Sequence, residues 1–107
     1  MTIDDRRRLI DEIDKKLVEL LNERARCAME IGHLKRSQDL PVYQPEREQE
    51  ILDNVERLNH GPLEGTAIRR LFERVIDEAR SLERAARQAG TSPEYDSAQA
   101  GDLKQKP

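Results

Sequence analysis

The first third of the chain carries a heptad row of apolar residues that is interrupted at one position by an arginine. Residues spaced three and four apart share one face of a helix, so the row predicts a long helix that faces another helix. An unpaired charge in such a row costs several kcal/mol, so an anion should meet Arg24. The eight positions are Ile10, Ile13, Leu17, Leu20, Arg24, Cys27, Ile31 and Leu34.

The composition favours an all-α fold that packs against another chain. Of the 107 residues, 36% are hydrophobic and 3% aromatic, whereas 38% are charged. Helix-forming residues dominate, and no alternating strand pattern appears. One domain is expected from this length, and its core alone would be thin.

Charge and cysteine content exclude several classes of function. The net charge is -3 with both signs interspersed, which argues against nucleic acid as an electrostatic partner. The apolar runs are far too short to cross a bilayer and no signal peptide opens the chain, so a cytoplasmic location is expected. Cys27 is the only cysteine, and His33 and His60 are not spaced with carboxylates as metal ligands, so no metal site is expected.

The pattern of breakers and apolar faces predicts three helices and a tail. The helices should cover about 4–38, 45–59 and 64–88, with Pro45 in the first position of the second helix. His60-Gly61-Pro62 indicates the stop between the second and third helices. Residues 1–90 therefore form the predicted domain, and 91–107, with little apolar content, a flexible C-terminal tail.

The first helix is too long for its own chain to cover. At 1.5 Å per residue it extends about 50 Å, whereas a compact domain of this size has a radius of gyration of about 13 Å. A homodimer in which two such helices pair is the simplest way to cover the apolar row.

Five ionisable residues fall on inward helix faces: Arg24, Lys35, Arg47, Glu48 and Glu83. One interpretation pairs them with each other, Arg24 with Glu83 and Lys35 with Glu48. Three cations against two carboxylates leave a positive excess, however, which suits a site for a small dianion. The excess of cations also disfavours a metal.

The chain resembles the all-helical class (type II) of chorismate mutases over about residues 4–87. The order, spacing and turn sequence match across three helices. The matching motifs are Arg7-x2-Ile10-Asp11-x-Ile13-Asp14, Leu20-Leu21-x2-Arg24, Ile31-Gly32-x2-Lys35 and Pro41-Val42-Tyr43-x-Pro45-x-Arg47-Glu48. The resemblance implies an intertwined homodimer of three-helix protomers. It also implies conversion of chorismate to prephenate, on the shikimate-pathway branch towards phenylalanine and tyrosine, with no cofactor.

The resemblance also implies a role for each site residue. Arg24 would bind a substrate carboxylate, and Lys35 would donate to the ether oxygen and a carboxylate. Glu48 would accept from the substrate hydroxyl, with Arg47 beside it. The residue at position 83 would be the second donor to the ether oxygen, and Gln44 and Ala79 would also contact the substrate.

Arg7 would bind a carboxylate from the other protomer. Arg7 lies 17 residues from Arg24, or about 25 Å along one helix. It cannot reach a site formed by Arg24 and Lys35 of its own helix, whereas an antiparallel partner helix could bring its own Arg7 alongside.

Two residues depart from the family pattern. Some members have glutamine at position 83, and Glu83 can donate a hydrogen bond only when protonated. An aspartate is common at position 44, and glutamine is a weaker N-cap.

Two rival functions fit parts of this pattern. Isochorismate pyruvate lyase shares the fold, the arginines and the lysine, but Glu48 favours the mutase. A non-catalytic helical dimerisation or regulatory module would use the charged positions as interhelical salt bridges.

Overall fold

The computed structural model describes residues 1–89, which form three α-helices. α1 spans Ile3–Ser37, α2 spans Pro45–Leu58 and α3 spans Gly65–Ala89. The predicted all-α, three-helix protomer with a long first helix is confirmed, and no predicted boundary is more than one residue away. The predicted tail, 91–107, lies outside the described residues.

α1 begins at a capping box formed by Thr2 and Asp5. The Thr2 hydroxyl accepts from the Asp5 backbone N–H at 3.1 Å, and the Asp5 carboxylate accepts from the Thr2 N–H at 2.9 Å. The bond from the Thr2 N–H, and then that from Arg8, lower the pKa of Asp5 because they favour the ionised carboxylate. The box fixes where the long helix starts.

α1 ends in a tight reversal at Asp39. Asp39 has a φ of 57°, a left-handed conformation in which aspartate is enriched. The next N–H, of Leu40, donates to the Lys35 carbonyl at 2.7 Å and closes the helix end. The chain then returns, so that the Val42 carbonyl lies beside the Lys35 side chain. α2 begins at Pro45, in the first helical position as predicted.

α3 is the central element, because it packs against both α1 and α2. Gly32 allows its close approach to α1. A Cβ at position 32 would lie 2.6 Å from the Glu83 carbonyl oxygen and 2.9 Å from the Glu83 Cα. Backbone atoms cannot move aside as a flexible side chain can, so glycine is required where α3 crosses α1. The buried apolar residues among 1–89 are few and come from all three helices: Ala28, Leu52, Ile76 and Ala86.

Gly32→Ala is expected to lower the free energy of unfolding by about 1–3 kcal/mol, because the methyl group forces α3 away from α1. Urea denaturation measures this loss. Gly65→Ala is the matched control: its Cβ would meet Glu56 at 3.5 Å, an ordinary contact, so its stability should stay equal or rise. Unchanged stability of Gly32→Ala would show that the close approach is not needed.

The apolar row of α1 is left largely uncovered by α2 and α3. Ile10, Ile13, Leu17 and Leu20 are each between 50% and 59% exposed. The radius of gyration is 16.6 Å, against about 13 Å for a compact chain of this length. Such a contiguous apolar surface marks a contact with another molecule. None of the helices described in residues 1–89 is both long and apolar enough to span a membrane.

Candidate functional site

The Lys35 ammonium is the most buried charge of the candidate site. Lys35 lies in the last turn of α1 and is 9% exposed. Its Nζ donates to Glu83 Oε1 at 2.7 Å and to the Val42 carbonyl oxygen at 2.8 Å. An ammonium has three N–H donors, so these two bonds leave one for a ligand.

Three local features position this lysine. Gly32 sets the distance between α1 and α3 one turn before Lys35, directly against the Glu83 backbone. The reversal at Asp39 brings in the Val42 carbonyl. Glu83 supplies a carboxylate whose side chain is only 15% exposed, and this pairing offsets the cost of burying both charges.

A second ion pair joins α2 to α3 through Glu48 and Arg80. Arg80 Nε donates to Glu48 Oε2 at 2.9 Å, and Arg80 Nη2 donates to Glu48 Oε1 at 2.5 Å. The guanidinium also lies 5.2 Å from the centre of the Tyr43 ring, within the range of a cation–π contact. The hydrogen bonds to Glu48, above all, raise the pKa of Arg80 because they stabilise the charged form.

Arg24 and Arg47 line an open cleft of about 730 Å³, together with Ile51 and Phe72. This volume is within the usual range for small-molecule sites. Arg47, predicted to lie on an inward helix face, is instead exposed at the rim, where it donates to Glu50 at 2.9 Å. Arg24 is half-buried, and no carboxylate of residues 1–89 lies within ion-pair distance of it. The cleft therefore holds a cation that is available to an anionic ligand.

The two ion pairs considered from the sequence, Arg24 with Glu83 and Lys35 with Glu48, are wrong. Lys35, not Arg24, pairs with Glu83, and Glu48 pairs with Arg80 rather than with Lys35. The reason is the register of α3 against α1, because Gly32 brings Glu83 to the level of Lys35. Arg24 lies three turns earlier on α1, out of reach of that carboxylate.

The other predicted residues lie around these pairs or far from them. The Gln44 carbonyl accepts from the N–H groups of Arg47 and Glu48 at 3.1 and 3.2 Å, whereas its side chain makes no capping bond. Ala79 is half-buried on α3, one turn before Glu83. Arg7 is exposed near the start of α1, where it lies 3.9 Å from Asp4. The protomer alone thus does not bring Arg7 to Lys35.

Sequence reasoning missed Arg80. Its spacing was the available signal: it comes four residues after the buried Ile76 and three before Glu83, so it borders the same face of α3. Its partner could not be read, because that depends on how α2 and α3 are aligned in space.

The arrangement suits an anionic ligand that develops negative charge on an oxygen. Arg24 and Arg47 offer guanidinium groups for carboxylates, and Lys35 offers a fixed N–H in a poorly hydrated position. Among residues 1–89, no group of three or more His, Cys, Asp or Glu side chains could hold a metal ion. Charge stabilisation here would come from the cationic side chains.

Comparison with known proteins places the chain among enzymes of one type. Residues 6–84 match the family model of chorismate mutase type II. A bifunctional chorismate mutase/prephenate dehydratase from Pseudomonas aeruginosa is 39% identical over 100 residues, covering 89% of this chain and 27% of that protein. The chain therefore spans about a quarter of the length of such relatives.

Two solved structures share the fold. Chorismate mutase (form II) from Thermus thermophilus has a TM-score of 0.74 and 36% identity, covering 76% of this chain and 92% of its own. Chorismate mutase from Helicobacter pylori, solved in complex with prephenate, has a TM-score of 0.71 and 31% identity, covering 78% of this chain and 91% of its own.

Proposed function

The chain belongs to the chorismate mutase type II family, and on that premise we propose that it rearranges chorismate to prephenate in phenylalanine and tyrosine biosynthesis. The observation that carries the proposal is the buried Lys35 ammonium, which is paired with Glu83. Arg24, on the same helix, lines an open cleft. The unit that acts would be the predicted domain, residues 1–90. Its cytoplasmic location stays a prediction.

The reaction asks the protein to hold and polarise a single substrate. A carbon–oxygen bond breaks while a carbon–carbon bond forms within the same molecule, so no nucleophile or redox step is needed. The flexible dianion must be held in a compact chair-like shape. Negative charge that grows on the ether oxygen must also be stabilised.

Each role in this proposal falls to a residue whose chemistry suits it. Arg24 binds one carboxylate, since a guanidinium can bind both of its oxygens. Lys35 donates its remaining N–H to the ether oxygen or a carboxylate. Glu48 accepts from the substrate hydroxyl, with Arg47 at the rim of the cleft. The Gln44 and Ala79 backbone and side-chain atoms complete the surface around the substrate.

The second donor to the ether oxygen is Glu83 in its protonated form. In the empty site its carboxylate accepts from Lys35 at 2.7 Å. When a substrate dianion enters, a proton on Glu83 removes one negative charge and creates a donor.

Because only a protonated Glu83 can donate, the kcat/KM of the wild type is expected to fall as pH rises. Glu83→Gln should flatten this profile, because an amide donates at every pH. Steady-state rates across a pH series measure both profiles, and Glu78→Gln, on the exposed face of α3, is the control. Parallel profiles for wild type and Glu83→Gln would exclude this role.

The partner proposed for each protomer is a second copy of the chain. The half-exposed apolar row of α1 supports it, because pairing two such helices would cover both rows. In an antiparallel pair, Arg7 of one protomer would bind a carboxylate in the site of the other. This intertwined homodimer would hold two sites.

Product identity tests the proposed reaction against its nearest rival. The protein is incubated separately with chorismate and with isochorismate, and the products are identified by NMR. We expect prephenate from chorismate and no salicylate from isochorismate. Salicylate formation without prephenate would assign the lyase reaction, and no product from either would favour a non-catalytic module.

A further inference from the structure

We propose that Arg80 is a positioning residue that fixes the Glu48 carboxylate for the substrate hydroxyl, an inference that rests on the proposed function. Arg80 binds both oxygens of this carboxylate, at 2.9 Å through Nε and 2.5 Å through Nη2. A fork of this kind fixes the plane of the carboxylate as well as its location. A glutamate without such a partner would lose side-chain freedom only when the substrate binds.

The fork leaves Glu48 able to accept from a ligand. Each carboxylate oxygen has two lone pairs, and Arg80 uses one on each. The second lone pair of either oxygen can accept the hydroxyl proton of a substrate. The side chain is 21% exposed, so a ligand in the site can approach it.

Arg80 is itself held from two other directions. Asp77 Oδ1 lies 3.3 Å from its Nη1 within α3, and the Tyr43 ring lies against the guanidinium. Tyr43 belongs to the same turn as Val42, which binds Lys35. One turn therefore contacts both the Lys35–Glu83 pair and the Arg80–Glu48 pair.

The two pairs also balance the charge that a dianion would meet. Glu83 lies against Lys35 and Glu48 against Arg80, so neither carboxylate is left without a cation. Without Arg80, Glu48 would repel the incoming substrate as well as lose its orientation.

An ion pair that only holds α2 against α3 would show the same contacts as Arg80 and Glu48. The chain contains such an ion pair for comparison. Arg69 of α3 binds Glu56 and lies 3.4 Å from Asp53, both on α2. Its side chain is 29% exposed, against 26% for Arg80. Arg69 lies 11 residues before Arg80 and binds the far end of α2, so it bridges the same helices away from Lys35 and Glu83.

A double-mutant cycle in the full chain distinguishes a role in positioning Glu48 from a role in holding α2 against α3. Arg80→Met is expected to lower kcat/KM for chorismate about tenfold, as is usual for directly coupled residues. Glu48→Gln with Arg80→Met should be no slower than Glu48→Gln alone, because Arg80 then has nothing to position. Arg69→Met should lower thermal stability and leave kcat/KM unchanged.

Arg80→Lys provides a second test, and it also serves if Arg80→Met does not fold. Lysine keeps the charge but not the fork, so its kcat/KM should stay well below wild type. A wild-type kcat/KM in Arg80→Met or Arg80→Lys would overturn the role of Arg80. A double variant whose loss of kcat/KM equals the product of the two single losses would also overturn it. A wild-type protein that does not convert chorismate would overturn the proposed function itself, and this inference with it.

Discussion

Lys35→Met should lower kcat by about a hundredfold to a thousandfold, the usual effect of removing one preorganised donor to a developing oxyanion. The Lys35 N–H lies in a position with 9% exposure, where water cannot readily replace it. Methionine keeps most of the side-chain volume, so the loss is of charge and donors rather than of packing. Steady-state rates with chorismate measure it.

Two controls separate this effect from unfolding. Lys35→Met leaves Glu83 without its cation, which costs stability, so its helicity must be checked by circular dichroism at the assay temperature. Lys15→Met removes an exposed charge from the same helix and should behave as wild type. A folded Lys35→Met with a kcat within about threefold of wild type would contradict the electrostatic role of Lys35.

Mixing two inactive variants should restore activity if Arg7 acts across a homodimer. Arg7→Ala and Lys35→Met are each expected to lose most activity as pure proteins. In a mixed dimer, one site contains both altered residues and the other contains neither. Random exchange of protomers should therefore restore about a quarter of the wild-type activity, because half of the dimers are mixed and each has one intact site.

The same mixture has the opposite outcome if Arg7 acts within its own chain. Each mixed dimer would then carry one alteration in each site, and no activity would return. The protomers should be exchanged by refolding from urea, with each variant refolded alone as the control. Sedimentation measures the dimer directly, and a monomer with full activity would exclude the role of Arg7 in trans.

Local sequence predicts the helices of this chain to within one residue. Pro45 fixes the start of α2, and apolar spacing along α1 and α3 identifies their faces. These signals act over a few residues, so no knowledge of the tertiary fold is needed. The buried position of Lys35 follows in the same way, since it lies two turns after Ala28, which is buried, on the same face of α1.

The ion pairs are less predictable, because they depend on how whole helices are aligned. Gly32 lets α3 cross α1 at the level of Glu83, and this crossing pairs Glu83 with Lys35 instead of Arg24. A glycine within a long helix can be recognised in the sequence, but the residue of α3 that it contacts cannot. The fork between Arg80 and Glu48 joins residues 32 positions apart and depends on how α2 is aligned against α3.

The exposure of the α1 row shows why the sequence pattern predicts a partner chain. A heptad row predicts a contact along the whole helix, yet Ile10, Ile13 and Leu17 remain half-exposed in the protomer. The heptad row thus predicts a longer contact surface on α1 than α2 and α3 can cover. The proposed homodimer accounts for this difference.

The rate at which the wild-type protein converts chorismate tests the proposed function most directly. The loss of chorismate is followed by its ultraviolet absorbance, beside the same solution without protein, and prephenate is identified as the product. We expect acceleration of at least about a millionfold at saturating substrate, the lower end of the range for enzymes. Conversion no faster than in buffer, by a folded protein, would contradict chorismate mutase activity.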